Sequence, residues 1–151
     1  INLEINYDPT KSISEEFYLK YANLQGIKEF DILMVADGRY RIGKTSMILS
    51  GMTKCVVQSH LKILRIQKED VFSPFELLYI LNQKQVIEQI RSLIFIQSTL
   101  GSIGNRLNEL LLPIPEKSDS WKKQVQEFKS TLMERNILLQ RLHNLTYEET
   151  F

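Results

Sequence analysis

The run from Asp31 to Gly51, DILMVADGRYRIGKTSMILSG, decides how the first half of this chain is organised. Apolar-rich arms flank the dipeptide Asp37-Gly38. Such a dipeptide is a strong signal for a two-residue β-hairpin turn, because glycine tolerates the positive φ that the turn requires. The run therefore predicts a hairpin that turns at residues 37 and 38.

Pairing the two arms across this turn assigns their side chains to faces. One face is apolar and carries two residues from each arm: Leu33, Val35, Tyr40 and Ile42. Arg39 and Arg41 project from the opposite face, where they suit phosphate contact and bidentate recognition of guanine. Gly43 is expected to form a bulge that redirects Lys44 and Thr45.

The same letters satisfy the phosphate-binding P-loop pattern G-x-x-x-x-G-K-[ST] at Gly38–Thr45. In a P-loop, backbone N–H groups curl around a phosphate at the start of a helix, so its variable positions favour small residues. Here those positions are bulky, and a helix after Thr45 would contain Gly51 in its second turn. The chain also has too few alternating strands and helices for a parallel βαβ core. A nucleotide-binding enzyme built on this stretch is kept as an alternative.

The formal net charge of the 151-residue chain is only +1, but the charge is unevenly distributed. Residues 31–68 contain seven Lys or Arg against two Asp. A local positive surface attracts phosphate even when the whole chain is near neutral. This segment therefore favours an anionic partner, and a solvated face with randomly placed cations is the alternative interpretation.

Composition is that of an ordinary globular domain, with 43% apolar and 25% charged residues. The sequence has neither a membrane-span-length apolar run nor a signal-peptide pattern, so no membrane partner is expected. The single cysteine, Cys55, excludes an intrachain disulfide and is consistent with a reducing cytoplasm. Because the chain opens on Ile1 rather than Met, we expect it to be a piece of a longer protein.

Residues 1–68 are predicted to be mostly strand. Short apolar or alternating segments at Cys55–Val57 and His60–Ile66 predict further strands of a curved antiparallel sheet or barrel. Ser14–Leu24 is the exception, because its sequence is compatible with a short helix.

The next part of the chain is predicted to be helical and then irregular. Pro74 near a first turn, followed by apolar residues at helical spacing, predicts a helix over about 74–92. Phe95–Pro115 predicts a Gly/Ser-rich loop, a polar turn and an apolar strand closed by two prolines. The aromatic residues of this part are assigned to the core by default: Phe75, Tyr79 and Phe95.

From about Ser118 to Leu145 the sequence predicts one long helix, capped by Ser118 or Asp119. At 1.5 Å per residue it would be about 40 Å long, more than a compact domain of this size needs. An apolar seam interrupted by Arg135 predicts a partner helix, and packing across the chain's own domain is the alternative. The seam consists of Trp121, Val125, Phe128, Leu132, Leu139 and Leu142.

These patterns together predict an α+β fold in two parts. Residues 1–115 are expected to form a β-rich domain with one packed helix. Residues 116–151 are expected to form the long C-terminal helix, suited to coiled-coil-like pairing, and a tail.

Four segments, in their order along the chain, resemble a known family. They read DILMVADGRYRIGKTSMI, VVQSHLKILRI, SPFELLYILNQKQVIEQIRS and FIQSTLGSIGNRLNELLLPIP, and the long helix follows. This succession is similar to the target recognition domain of restriction–modification specificity subunits and to the recognition domain fused behind adenine DNA methylases. The similarity covers about residue 29 onward. Two departures exist: Phe30 replaces a glycine that often precedes Asp31, and EKSDSW replaces a PLxEQ helix start. The second departure favours the methylase-fused or single-chain version over a two-domain specificity subunit.

The chain lacks motifs for the methyl-transfer reaction itself. The strings nearest to [DNS]-P-P-[YFW], YDPT at Tyr7–Thr10 and FSPF at Phe72–Phe75, each lack the second proline. His60 and His143 lie far apart in the sequence and show no ligand spacing to Cys55, so no metal site is expected. The chain is therefore not expected to be an enzyme by itself or to hold a cofactor.

The resemblance implies a module that reads double-stranded DNA within a type I restriction–modification system in the cytoplasm. It implies an adenine methyltransferase subunit or domain as partner, a restriction subunit in some assemblies, and pairing of the long helix with a second copy or a second recognition domain. A protein–protein module acting through the long helix is the alternative function. The candidate DNA contacts, for which plain strand-surface and turn chemistry is the alternative, are Arg39, Arg41, Lys44, Thr45, Ser46, Lys54, Gln58, Ser59, His60, Gln97, Ser98, Thr99, Ser102, Asn105 and Arg106.

Overall fold

The computed structural model describes residues 3, 5, 12–38, 41–68, 71–97 and 100–147 of the chain. The chain divides into two compact units, Ile1–Ile114 and Pro115–Phe151. The first unit combines short helices with small antiparallel sheets, and the second contains one long helix. The expected combination of helix and antiparallel sheet with a long C-terminal helix is thus confirmed.

The strands of the first unit form two three-stranded antiparallel sheets, in the orders β3-β1-β4 and β2-β6-β5. In chain order the elements of this unit are α1 (Glu15–Gln25), β1 (Ile32–Val35), β2 (Asp37–Gly38), β3 (Thr45–Met47), β4 (Leu61–Leu64), α2 (Pro74–Leu81), α3 (Lys84–Leu93), β5 (Phe95–Gln97), β6 (Leu100–Ser102) and a 3-10 helix (Gly104–Glu109).

β1 is the centre of the hydrophobic core. It lies between β3 and β4, and Met34 is fully buried. Because both of its faces are covered, its sequence is continuously apolar rather than alternating. The helices α2 and α3 contribute further fully or nearly fully buried side chains: Leu78, Ile80, Leu81, Val86 and Ile90.

β1 and β3 form an antiparallel hairpin, but in a different register from the predicted one. Met34 lies opposite Thr45, whereas a two-residue turn at 37 and 38 would place it opposite Arg41. The predicted turn is therefore wrong, because the connection between the arms spans residues 36–44.

The turn is displaced because the chain passes from one sheet to the other at Ala36. The Ala36 N–H donates to the carbonyl of His60 beside β4 at 2.8 Å, and the Ala36 carbonyl accepts from the N–H of Ile103 at 2.9 Å. The next two residues form β2, in which Asp37 lies opposite Ser102 of β6. The expected single curved sheet is thus replaced by two small sheets that share this segment.

Gly43 forms a bulge at the end of the β1–β3 hairpin, as predicted. Its N–H donates to the carbonyl of Val35 at 2.8 Å, while the Val35 N–H donates to the carbonyl of Lys44 at 3.0 Å. Two residues therefore oppose one, and Gly43 has the positive φ of +83° that this type of bulge requires.

Two segments predicted as strands are irregular for a shared reason. In the first of them, Cys55–Val57, the carbonyl of Val57 accepts a hydrogen bond from the Gln25 side chain at 2.7 Å, and the Val57 N–H donates to the same side chain at 2.8 Å. Gln89 holds both backbone groups of Leu111 in the same way, at 3.0 and 3.2 Å. Each amide side chain occupies the groups that a neighbouring strand would otherwise bond.

The helix predicted over 74–92 starts as expected but is divided in two. Ser73 and Glu76 form a reciprocal capping box at the start of α2. α2 ends at Leu81, and the side-chain amide of the next residue, Asn82, donates to the carbonyl of Leu78 at 2.8 Å and to the hydroxyl of Thr45 at 2.9 Å. α3 begins two residues later.

Three further predictions concern the segments Ser14–Leu24 and Phe95–Pro115. The short helix expected near Ser14–Leu24 is α1, with Ser14 as its N-cap. The predicted Gly/Ser-rich loop is instead the β5–β6 hairpin, and the predicted apolar strand before the prolines is irregular.

The second unit contains the long helix that the sequence predicted. It is α4 (Asp119–Tyr147), of 29 residues, and the Ser118 hydroxyl accepts from the N–H of Trp121 at 3.2 Å at its start. Within the part of the chain that the structure describes, neither this helix nor any other combines the length and the apolar character needed to cross a membrane.

Candidate nucleic-acid interface

The segment Val35–Gly38 is the meeting point of the polar parts of the first unit. Its first residue, Val35, exchanges backbone hydrogen bonds with the loop that ends at Lys44. Ala36 bonds the carbonyl of His60, which follows Gln58 and Ser59 at the start of β4. Two segments far apart in the sequence are thereby brought to the same end of the first sheet.

A third polar segment reaches the same place through β2. Asp37 and Gly38 lie opposite Ser102 and Gly101. The backbone of β6 therefore lies beside Val35–Gly38, the same segment that bonds the β1–β3 loop and the residue before β4.

We call the candidate DNA contacts carried by these three segments the polar rim. Four of them are exposed and two are half-buried. Their side chains supply a guanidinium, an ammonium, an amide, two hydroxyls and an imidazole, all of which hydrogen-bond to phosphates or base edges. The polar rim consists of Arg41, Lys44, Gln58, Ser59, His60 and Ser102.

Two cations of the positive segment 31–68 have carboxylate partners, one at a buried and one at an exposed site. Arg65 makes a bidentate contact with Asp31, at 2.6 Å for each of two nitrogen–oxygen pairs, and this hydrogen bonding raises the pKa of the Arg65 guanidinium. Lys54 pairs with Glu15 of α1 at 3.1 Å and lies over the Tyr18 ring. Arg65 is therefore a structural residue. Lys54 contacts α1 and does not belong to the segments that form the polar rim.

Thr45 and Ser46 are wrong as candidate DNA contacts. Both are buried in β3, with exposed fractions of 2% and 9%. The Thr45 hydroxyl accepts a hydrogen bond from Asn82, so its polar group is already satisfied inside the protein.

Asn105 and Arg106 are exposed on the 3-10 helix that follows β6. The Arg106 guanidinium donates to the carbonyl of Leu93 at 3.2 Å and pairs with Glu109 at 3.4 Å. The Arg106 charge thus has an exposed carboxylate of the same 3-10 helix as its partner, and Asn105 is a surface amide.

The remaining candidates fall on parts that the structure does not describe. Arg39, Ser98 and Thr99 lie outside the described residues, as does Tyr40, which was assigned to the apolar face of the hairpin. Gln97 belongs to β5, but only its backbone is described.

Two residues beside the polar rim were not recognised from the sequence as candidate contacts. Asp37 was assigned to a turn and is exposed on β2, and Phe95 was assigned to the core and is 63% exposed on β5. The core assignment of Phe75 is confirmed, since it is buried at the start of α2, but that of Phe95 is wrong. No local signal separates the two phenylalanines, because the exposure of Phe95 follows from its position in the second sheet.

The geometry around Lys44 contradicts the P-loop alternative. A P-loop lysine stands at the start of a helix whose N–H groups surround the phosphate. Here Thr45–Met47 is a strand paired with β1, so a strand and not a helix follows Lys44.

The predicted seam residues Trp121, Val125, Phe128, Leu132, Leu139 and Leu142 all lie on α4. At its C-terminal half, Leu138, Leu142 and Leu145 are exposed by more than half and recur at spacings of four and three. Residues at these spacings share one helix face.

The described residues contain no cluster of three or more His, Cys, Asp or Glu side chains placed to hold a metal ion. Comparison of the chain with protein-family models, with curated proteins and with solved structures gave no match.

Proposed function

We propose that this chain is a non-catalytic module that reads the sequence of double-stranded DNA in a restriction–modification system. The observation that carries the proposal is the polar rim, where three polar segments meet around Val35–Gly38. The order of sequence segments that resembles target recognition domains supports the same function.

The residue types of the polar rim suit this role. Lys44 supplies a point charge for a phosphate, which positions a protein on the duplex without reading sequence. Arg41 can bond guanine through two donors, and Gln58 can bond adenine in the same bidentate way. Such a module acts in the cytoplasm beside an adenine methyltransferase subunit or domain, which carries out the reaction.

Replacing both Arg41 and Lys44 with alanine is expected to weaken duplex binding by at least tenfold at low salt. Each lost phosphate contact also lowers the slope of log affinity against log salt by about 0.9, so the double variant should lose about one to two units of slope. Fluorescence anisotropy of a labelled mixed-sequence duplex at several salt concentrations measures both quantities.

The matched control is the double variant Lys117→Ala/Lys123→Ala, which removes the same charge from exposed positions in the second unit. It should bind like the wild type. Equal losses in the two double variants would mean that only net charge matters. Absence of duplex binding by folded wild-type protein at low salt would refute the proposed function.

The same proposal assigns α4 to pairing with another helix. The exposed leucines Leu138, Leu142 and Leu145 support this assignment, since a seam of this kind is stabilised when a second helix covers it.

We expect the chain to sediment as a dimer and the variant Leu142→Glu to sediment as a monomer, because a buried unpaired carboxylate opposes association. Glu134→Gln, an exposed change elsewhere on α4, should leave the dimer intact. A monomeric wild type would contradict self-pairing and would place the partner helix in another chain.

A further inference from the structure

Three side chains form a row across the second sheet. In its register Asp37 lies opposite Ser102, and Ser102 lies opposite Phe95. Side chains that lie directly opposite in an antiparallel sheet project from the same face. The row therefore places a carboxylate, a hydroxyl and an aromatic ring side by side on adjacent strands.

This face is open, and the opposite face is closely packed. Phe95 is 63% exposed, Asp37 is exposed and Ser102 is half-buried. On the other face, a Cβ added at Gly101 would lie 3.0 Å from side-chain atoms of both Ile42 and Ile94. The tight backing fixes the backbone of β6 behind the row.

We propose that the row of Asp37, Ser102 and Phe95 binds an unpaired guanine base of DNA. Phe95 stacks on the face of the base, and stacking of this kind contributes substantially to the binding of unstacked nucleotides. Asp37, when ionised, is an acceptor only. It therefore selects bases that present N–H donors, and guanine offers two neighbouring donors on its pairing edge.

The base must be unpaired because a paired base has both faces covered by its neighbours and its donors occupied. The dimensions of the row suit a single base. Neighbouring strands lie about 4.8 Å apart, so Asp37 and Phe95 are separated by about two such spacings. A purine stacked on Phe95 then reaches toward Ser102 and Asp37 with its polar edge.

The exposed carboxylate of Asp37 lies on the segment around which the polar rim is built, where it repels phosphate and is unfavourable for a purely phosphate-binding surface. A base-reading role accounts for its position. This inference rests on the proposed function, because the polar rim holds the duplex from which the unpaired base is displaced.

The test compares short labelled duplexes that differ at one position only. The first duplex is perfectly paired, the second carries one unpaired guanine in one strand, and the third carries one unpaired thymine at the same place. Binding is measured by fluorescence anisotropy. A fourth probe is a guanine-containing single strand. The wild type should bind the guanine-bulged duplex about tenfold more tightly than the perfect duplex, since stacking of a base on an aromatic side chain changes affinity by roughly 5- to 150-fold.

Two conservative variants separate the contributions. Phe95→Leu keeps an apolar side chain and should abolish the preference for bulged duplexes, with perfect-duplex binding unchanged. Asp37→Asn should retain the bulge preference but no longer separate guanine from thymine. Both side chains are exposed, so thermal unfolding should be unchanged and serves as the folding control.

The possible outcomes separate the proposed guanine site from the proposed duplex-reading function. Binding of the perfect duplex with no preference for an unpaired guanine overturns the inference and leaves the proposed function standing. Binding of bulged or single-stranded guanine that depends on Phe95, without perfect-duplex binding, supports the inference and refutes the function. A Phe95→Leu loss on the perfect duplex overturns the inference, because it would make Phe95 a wedge between paired bases. Absence of binding to every probe overturns both.

Discussion

Replacing Arg65 with alanine is expected to lower the free energy of unfolding by about 3 to 5 kcal/mol, because it leaves a carboxylate buried without its counter-ion. Asp31 is 1% exposed and accepts three hydrogen bonds. Two come from the Arg65 guanidinium at 2.6 Å and one from the N–H of Lys28 at 2.7 Å. The guanidinium also donates to the carbonyl of Gly26 at 2.6 Å, so its loss disconnects the end of α1 from β1.

The control for this prediction is Lys84→Ala, which removes a lysine paired with Glu88 at 3.9 Å on the surface. Exposed pairs of this kind contribute about 0 to 1 kcal/mol, so this variant should unfold close to the wild type. Arg65→Lys should lie between the two, since an ammonium keeps the charge but loses the bidentate fork. Urea denaturation measures all three, and a small effect of Arg65→Ala would mean that water reaches Asp31.

Replacing Gly43 with alanine is expected to lower the free energy of unfolding by about 2 to 4 kcal/mol, the sum of backbone strain and overpacking. Gly43 has a φ of +83°, which residues with a Cβ rarely adopt, and an added Cβ would lie 2.6 Å from Cγ2 of Ile90. Ile90 is 1% exposed in the core, so it has little room to move. The bulge that presents Lys44 therefore depends on the absence of a side chain at position 43.

Gly26→Ala separates the two contributions to that loss. Gly26 also has a positive φ, of +54°, but an added Cβ there meets nothing within 4 Å. It should therefore show the backbone cost alone, of about 1 kcal/mol. Equal destabilisation by the two substitutions would contradict close packing of the bulge against α3.

Several elements were predictable because their causes are local in the sequence. The apolar run Ile32–Val35 predicts a strand, and Pro74 near a first turn predicts the start of α2. The long stretch without proline or glycine after Ser118 predicts α4. In each case the residues that form the element also contain the signal for it.

The candidate site was predictable only as a set of residue types. Arg41, Lys44 and Gln58 were identified from their own segments. Their common location depends on backbone bonds of Val35 and Ala36 to partners elsewhere in the chain. Thr45 looked as suitable as Lys44, yet a hydrogen bond from Asn82, 37 positions away, accompanies its burial.

Amino-acid order alone was sufficient for the strand at Ile32–Val35, the starts of α2 and α4, the Gly43 bulge and the long helix, because neighbouring residues set backbone conformation and apolar spacing. Contacts between distant residues decided the passage between sheets at Ala36, the two glutamine contacts that prevent strand pairing, and the exposure of Phe95. Hydrogen-bond partners far apart in the chain compete for the same backbone groups, and only the folded arrangement determines which of them pair.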